Sequence, residues 1–350
     1  MAQRSIRIGN VEISDDTKPF IIAEVGHNHQ GKLDSALDLI RSAALAGATA
    51  VKFQTRNNKA LFTPAMFDSE YNSENAFGPT YGTHREALEL SLDAYRACIE
   101  EAKRFGILFF STAFDIPSAK FLNELEVPAF KIASGDLRSH FLLREVAKFG
   151  KPMIVSTGGA TIEQVDQAVE VLRKEGAEFA LLQCTAGYPP KDSEINLRVI
   201  ETFRQRYPDV VVGYSGHDSG ITMAVAAYVL GARVIEKHFT LDRTLKGTDH
   251  SFSLEPEGMR KLVKNTSAVQ VALGDGTKRS YPSEAAPLRK MGKMIVAAEH
   301  IPAGTILEEI HLEFRSPNDG LAPDELELVL GKRLTLEKQP YEAIRAEDIS

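Results

Sequence analysis

The sequence predicts an α/β protein: a (β/α)8, or TIM, barrel followed by a small C-terminal β-rich domain. Three observations predict this fold: eight short apolar runs rich in β-branched residues, amphipathic helical windows between them, and a change of pattern near residue 278. Alternating strand and helix signals are typical of a parallel sheet built from βα units. An open, doubly wound sheet is the alternative for the same alternation.

The eight strands are predicted in chain order at 20–23, 50–54, 108–111, 129–133, 153–156, 179–183, 210–214 and 233–238. With their crossover helices they occupy about 275 residues, close to the roughly 250 of a typical TIM barrel. The number of strands and the length of the segment therefore favour the closed barrel over the open sheet.

The helices between the strands have signals of their own. Behind a capping box formed by Thr161 and Gln164, apolar residues recur at i, i+3, i+4 and i+7. Gly47, Gly106 and Gly176 each follow a window of this kind, and glycine is the common residue just past a helix C-terminus. A last barrel helix is predicted at 256–273.

The chain is predicted to divide into a barrel domain at 1–277, a linker at 278–293 and a second domain at 294–350. The linker mixes proline, serine, glycine and charge without periodicity, and the second domain has short β-like runs at 294–297, 313–315 and 333–335. A long insertion at 56–85 is rich in asparagine, threonine, phenylalanine and tyrosine. Long loops inside compact domains are usually functional or disordered, and the aromatic content favours an ordered loop.

Composition excludes several classes of protein. Hydrophobic residues at 43% and charged residues at 25% are typical of an ordinary soluble globular chain. No signal peptide or membrane-length apolar stretch is evident, and a net charge of −7 argues against nucleic-acid binding. The two cysteines, Cys98 and Cys184, exclude a disulfide framework and favour a reducing cytoplasm.

Polar residues end nearly every predicted strand, where the active site of a TIM barrel lies. Lys52 and Gln54 alternate with apolar residues, so both should point into the barrel mouth. Two lysines and several hydroxyls form the kind of set that binds a phosphate, although either lysine alone could simply cap a strand end. The members of this set are Lys52, Lys131, Thr112, Ser134, Ser156 and Ser215.

His217 and His238 end the adjacent seventh and eighth strands, so their imidazoles are predicted to converge. Two imidazoles, with water or a substrate oxygen completing the shell, suit a borderline divalent ion such as Mn²⁺ or Co²⁺; a structural histidine pair is the alternative. Glu24 and Asp249 are the candidate acid–base carboxylates. Glu236 could instead be a hydrogen-bond partner that orients His238. His27 and His29 lie in a predicted loop, so turn or surface positions are favoured for them over metal binding.

Nine ordered motifs resemble the sialic acid synthases and their nonulosonate relatives, and the resemblance spans nearly the whole chain. They are IIAEVGHNHQG, AVKFQT, STAFD, KIASGD, IVSTGG, QCTAGYPP, GYSGHD, VIEKHFT and GTDHSFSLEP. The C-terminal stretch MIVAAEHIPAGTILEEIHLEFRSP is similar to the antifreeze-like (SAF, β-clip) domain of these synthases.

The resemblance implies condensation of phosphoenolpyruvate with an N-acetylhexosamine such as N-acetylmannosamine, with release of phosphate. It implies a divalent metal on His217 and His238, most simply Mn²⁺ with Mg²⁺ or Co²⁺ as alternatives, and a domain-swapped homodimer. The positions that match phosphoenolpyruvate-binding residues are Lys52, Gln54, Thr112, Lys131, Ser134, Ser156 and Ser215. Glu24 is expected to handle protons, while Asp249 is expected to bind sugar hydroxyls or metal-bound water.

Further sugar contacts are expected from Asp136, Tyr188 and Arg315, with four departures from the sialic-acid pattern. Ala186 stands where bacterial sialic acid synthases usually have asparagine, Asp136 replaces a common glutamate, and Ser316 occupies the position of an arginine, with Arg315 one residue earlier. The fourth departure is His27 together with the long loop through His84 and Arg85, which could read a different sugar substituent. Because of these changes, the resemblance does not identify the sugar substrate.

Four alternatives to sialic-acid synthesis therefore stay open. Two are synthases with another product, either a legionaminate- or pseudaminate-like acid or a deaminated nonulosonate. A third is a different metal-dependent barrel enzyme, such as an aldolase. The fourth is a carbohydrate- or ice-binding module on an inert barrel, against which the polar strand ends argue.

Overall fold

The computed structural model describes residues 4–350, which divide into two compact units at Gly274. The first unit begins with an antiparallel hairpin of β1 (Ser5–Ile8) and β2 (Val11–Ser14). This hairpin is absent from the elements predicted above, although its two-residue Gly9–Asn10 connection is a known hairpin signal. Ile6, Ile8 and Ile13 of the hairpin are buried in the core of the unit.

Eight parallel strands close into a barrel, as predicted, in the order β3 to β10 and back to β3. Their bounds are β3 (Phe20–Gly26), β4 (Ala50–Thr55), β5 (Leu108–Ala113), β6 (Phe130–Ile132), β7 (Met153–Ser156), β8 (Phe179–Cys184), β9 (Val211–Gly216) and β10 (Val234–His238). All eight predicted strands are present within a few residues of their predicted ends. The open-sheet alternative is wrong, because β10 pairs with both β9 and β3.

Helices follow most of the barrel strands, and the longer ones pack on the outside of the sheet. They are α1 (Leu33–Leu45), α2 (Asn58–Leu61), α3 (Pro64–Phe67), α4 (Tyr81–Glu86), α5 (Leu92–Arg104), α6 (Ile116–Glu124), α7 (His140–Ala147), α8 (Ile162–Lys174), α9 (Asp192–Ile195), α10 (Val199–Arg206), α11 (Thr222–Val229) and α12 (Pro256–Leu273). The predicted glycines Gly47, Gly106 and Gly176 follow α1, α5 and α8 with φ of +88°, +68° and +67°. No helix within residues 4–350 has the length and apolar character that a bilayer span requires.

The insertion at 56–85 is ordered, as predicted. It contains the short helices α2, α3 and most of α4, and a bridge between Glu70 and Thr80 closes it on itself. Tyr71 and Tyr81 pack edge to face with their ring centroids 5.4 Å apart, so aromatic side chains supply a small core for the loop.

The second unit has its own apolar core, which includes Ile295, Ile301, Leu312, Leu334 and Ile344. Its elements are α13 (Ala285–Met291), β11 (Met294–Ala297), β12 (Leu312–Arg315) and α14 (Leu326–Val329), and β11 pairs with β12 antiparallel.

Two sequence predictions for the second unit need correction. The predicted linker at 278–293 contains α13 and lies within this unit, because a short helix needs no long periodic pattern. The predicted strand at 333–335 makes only isolated bridges, Ile306 with Arg333 and Leu334 with Ile349.

Barrel register brings the predicted site residues side by side. Glu24 in β3 is paired with Lys52 in β4 on one side and with His238 in β10 on the other. Ser215 in β9 lies opposite Glu236 in β10. Since all strands are parallel, these residues approach the same end of the barrel.

Candidate functional site

A cavity of about 650 Å³ opens at the carboxyl ends of the barrel strands. Every predicted site residue of the first unit lines it: Glu24, Lys52, Gln54, Thr112, Lys131, Ser134, Asp136, Ser156, Tyr188, Ser215, His217, His238 and Asp249. Arg315 lies in the second unit, where it pairs with Glu313 at 2.7 Å and stacks over Tyr341 at 3.9 Å. Its predicted sugar contact stays a prediction.

Lys52 is the centre of a buried charge cluster. Its Nζ lies 2.6 Å from Glu24 Oε2 and 3.6 Å from Glu236 Oε1, and it donates a hydrogen bond of 2.8 Å to Thr112 Oγ1. Burial raises the pKa of Glu24 to about 7 even though the Lys52 charge acts in the opposite direction. Glu24 can therefore exchange a proton near neutral pH.

Lys131 lies on the other side of Glu236. Its Nζ donates to Ser156 Oγ at 2.6 Å and to the carbonyl of Ile132 at 2.9 Å, and lies 4.0 Å from Glu236 Oε1. Burial favours the neutral form of Glu236, but the charges of Lys131 and Lys52 outweigh it and lower the pKa of that carboxyl. Glu236 thus acts as the shared counter-charge of two lysines, rather than primarily as the support of His238 considered from sequence.

Hydroxyl groups surround these lysines. Ser134 Oγ accepts the backbone N–H of Gly158 at 2.9 Å, and Ser215 Oγ donates to Glu236 Oε1 at 3.2 Å. Each of these hydroxyl oxygens can form further hydrogen bonds. Two ammonium groups and several hydroxyls in one cavity provide the donors that a bound phosphate or carboxylate needs.

The bulge in β3 fixes the position of Gln54. The pairing of β3 with β4 shifts register between Glu24 and Gly26, where Gly26 has φ of +54°. A Cβ at Gly26 would lie only 3.1 Å from Gln54 Nε2, which donates a 2.7 Å hydrogen bond to Glu24 Oε1. A glycine at this position leaves room for the amide beside the carboxylate.

The two predicted metal ligands converge, with ring centroids of His217 and His238 5.3 Å apart. His217 Nδ1 lies 3.0 Å from the carbonyl of Thr185, which can only accept, so Nδ1–H is the donor and the neutral ring would have its lone pair on Nε2. His238 Nδ1 is buried without a hydrogen-bond partner and lies 3.8 Å from Asp249 Oδ2. A buried, unpaired imidazole nitrogen beside a second free one fits a divalent metal.

Protein ligands alone would not complete a metal shell here. Within residues 4–350, no three side chains of histidine, cysteine, aspartate or glutamate form a metal-binding group. A metal on the two histidines would consequently take its remaining ligands from water or substrate, which is the arrangement typical of catalytic sites.

Asp249, Asp136 and Tyr188 line the same cavity. Although burial acts in the opposite direction, His238 and the hydrogen bond from Thr248 lower the pKa of Asp249. Burial raises the pKa of Asp136 to about 6. The Tyr188 ring packs on His217 with centroids 4.1 Å apart.

Arg56, Arg85 and the thiol of Cys184 also line the cavity. Arg85 belongs to the loop that was expected to contact a sugar substituent, whereas Arg56, at the start of the same insertion, and Cys184 were not predicted as site residues. Cys184 lies at the end of β8, where burial opposes but contact with His217 lowers its thiol pKa. His27 and His29 lie in the turn that follows β3, which is one of their two predicted positions, but both rings are buried and the surface alternative is wrong.

Comparisons with known proteins agree with this architecture. Residues 39–278 match the model of the NeuB family, and residues 292–350 match that of the SAF domain. The chain is 40% identical to human N-acetylneuraminate-9-phosphate synthase, over 94% of this chain and 92% of the relative. It is 38% identical to the N,N'-diacetyllegionaminic acid synthase of Campylobacter jejuni, over 94% and 99%.

A solved structure of a similar protein has the same fold. The N-acetylneuraminic acid synthetase of Leptospira borgpetersenii, crystallised with citrate, superimposes with a TM-score of 0.70 at 36% identity. The match covers 81% of this chain and 95% of the crystallised one.

Proposed function

Since the chain belongs to the NeuB family, with an appended SAF domain, we propose that it condenses phosphoenolpyruvate with an N-acetylhexosamine-type aldose and water. The products are a nonulosonic acid and inorganic phosphate. Relatives in the family are synthases of sialic, legionaminic and pseudaminic acids. N-Acetylmannosamine or a close derivative is the proposed aldose; a diacetamido-hexose, as the Campylobacter relative's name implies, is the alternative.

The observation that carries the proposal is the division of one cavity into two chemically different halves. Lys52 and Lys131, with their surrounding hydroxyls, form an anion-binding half. His217, His238 and Asp249 form a half suited to a metal and a polar sugar. Phosphoenolpyruvate in the first half and an aldehyde in the second would meet beside Glu24, since its register partners are Lys52 and His238.

The reaction forms a bond between C3 of phosphoenolpyruvate and the aldehyde carbon, whose oxygen takes a proton. Water adds at C2 of phosphoenolpyruvate and loses its protons, and the C2–O bond to phosphate breaks. Glu24, with a pKa of about 7, can take a proton from the water or return one to the new hydroxyl. Lys131 and Ser156 hold the leaving phosphate, and Asp249 orients sugar hydroxyls.

A divalent metal, with Mn²⁺ proposed and Mg²⁺ or Co²⁺ as alternatives, would supply positive charge next to the developing alkoxide. His217 and His238 would hold it. The proposal has a readout that does not depend on turnover: His238→Ala should lose manganese binding, measured from the electron paramagnetic resonance signal of free Mn²⁺. The exposed His300, changed to alanine, is the matched control.

The main test is phosphate release from phosphoenolpyruvate with Mn²⁺, across N-acetylmannosamine, its 6-phosphate, mannose and the diacetamido-hexose precursor of legionaminate. Release with one of these sugars, abolished by chelator and by His238→Ala, is expected. If none of these sugars supports phosphate release, the proposed reaction is rejected and another metal-dependent barrel enzyme, such as an aldolase, is favoured.

A further inference from the structure

Three cationic side chains lie beyond the strand ends without a carboxylate partner. Arg56 and Arg85 line the cavity, and Lys246, with Arg85, lines a smaller pocket that shares Thr248 and Asp249 with it. In the part of the chain that the structure describes, none of the three charged groups forms an ion pair. By contrast, the inner Lys52 is paired with two carboxylates.

Two carboxylates, Glu89 and Asp249, interact electrostatically with Arg56 and Arg85, but the close contact of each is with a histidine. Glu89 Oε1 lies 3.1 Å from His27 Nε2, and Asp249 Oδ2 lies 3.8 Å from His238 Nδ1. Burial also raises the pKa of Glu89 to about 7, so this carboxyl carries only part of a charge at neutral pH. Positive charge at the rim is therefore incompletely balanced.

The two arginines are held in place by neutral partners. Arg56 stacks over Phe114, with its guanidinium carbon 3.7 Å from the ring centroid, and donates to Gln54 Oε1 at 2.8 Å. Arg85 donates to Tyr81 Oη at 3.0 Å through Nη2. Each guanidinium has five N–H donors, so donors on both remain for a ligand.

Lys246 lies on a loop that is fixed against the insertion. Gly247 donates its N–H to Asn75 Oδ1 at 2.9 Å, and the Lys246 carbonyl accepts from Gln30 at 2.7 Å. Both Lys246 and Arg85 act on the same imidazole: the pKa of His84 is lowered to about 4, first by burial and then by these two charges. The two cations also line the same small pocket.

We propose that Arg56, Arg85 and Lys246 form a subsite for a phosphate monoester carried by the aldose. This inference rests on the proposed function and makes it more specific, because it selects a phosphorylated sugar. A phosphate monoester carries a charge of about −1.5 to −2 at pH 7 and accepts bidentate hydrogen bonds from arginine. Phosphoenolpyruvate occupies the inner lysines, so the outer cations are available for the second substrate.

The test compares kcat/KM for N-acetylmannosamine 6-phosphate with kcat/KM for N-acetylmannosamine. The wild-type protein should prefer the phosphorylated sugar, and Arg85→Gln and Lys246→Gln should each lower this preference about tenfold to a hundredfold, as expected for lost charge-assisted hydrogen bonds. Lys264→Gln, which removes an exposed lysine of α12, should leave the preference unchanged. If the ratio of the two kcat/KM values is the same in the wild type and in all three variants, the subsite is overturned.

Calorimetric titration of the same two sugars, with phosphoenolpyruvate omitted, separates this inference from the proposed function. Turnover of sugars without any preference for the phosphate would reject the subsite and leave the synthase intact. Binding of the sugar phosphate that weakens in Arg85→Gln, without turnover of any sugar, would support the subsite and reject the synthase. Equal binding of both sugars would overturn the subsite, and circular dichroism checks that each variant is folded.

Discussion

The carboxyl of Glu24 is subject to two opposing influences in the cavity. One oxygen lies 2.6 Å from Lys52 Nζ, which favours the charged form, and burial favours the neutral form more strongly. With a pKa of about 7, the charged fraction of Glu24 rises as the pH rises through neutrality. Because the folded pKa is raised above the ordinary value of 4.5, the contribution of Glu24 to stability is lost as the pH rises from about 4.5 to about 7.

Glu24→Gln should lower kcat by about 10²- to 10⁴-fold, the usual effect of removing a general acid or base. As a general base Glu24 must be charged, so activity of the wild type should rise with pH near 7. This rise should disappear in Glu24→Gln, since glutamine does not titrate. Phosphate release measured from pH 5.5 to 9 tests this, with bound manganese quantified in both proteins. Near-normal turnover would remove Glu24 from the proton pathway; lost metal would indicate a structural effect instead.

At the scale of elements, the barrel depends on close contact between neighbouring strands. Gly213 of β9 illustrates this: a Cβ there would lie 2.4 Å from both the Val234 carbonyl and Leu182 Cδ2. Side chains on β8 and β10 therefore leave no room for even a methyl group. The same strand leads into Ser215 and His217, so strand packing and site geometry are coupled.

Gly213→Ala should destabilise the protein by about 1–3 kcal/mol through overpacking. Thermal melting followed by circular dichroism measures the change. Gly135→Ala is the matched control, because its Cβ would meet nothing within 4 Å and its φ is not positive. Equal melting temperatures for Gly213→Ala and the wild type would show that the strands adjust at little cost.

At the scale of the whole molecule, the proposed domain-swapped homodimer would bring Arg315 of one subunit to the sugar site of another. Arg315 is held by Glu313 and Tyr341, so its guanidinium is ordered in the second unit. Arg315→Ala should raise KM for the sugar about tenfold and leave KM for phosphoenolpyruvate unchanged, since only the sugar would contact it. Steady-state kinetics with each substrate varied separately measures both constants.

Dilution is the complementary test of a shared site. Specific activity should fall as the protein is diluted below the dissociation constant of the dimer. Constant activity in a species shown to be monomeric by analytical ultracentrifugation would contradict the dimer proposal.

The strands and most helices of the barrel could be predicted from sequence, because their signals are local. Apolar periodicity placed β3 to β10, and capping residues with terminal glycines placed helices such as α8. The run at 333–335 was wrongly assigned because a short β-like stretch pairs as a strand only if a neighbour runs alongside it. Local composition does not contain that information.

Sequence by itself determined the barrel, the set of polar residues at its mouth and the family resemblance. Tertiary structure decided which charges meet: it placed Glu24 between Lys52 and His238, made Glu236 the counter-charge of both lysines, and left Arg56 and Arg85 without one. Side-chain chemistry is fixed by each residue alone, whereas pairing and burial arise only when the barrel closes and brings distant segments together. Burial then shifts the pKa of each ionisable group, and a pattern along the chain does not contain that information.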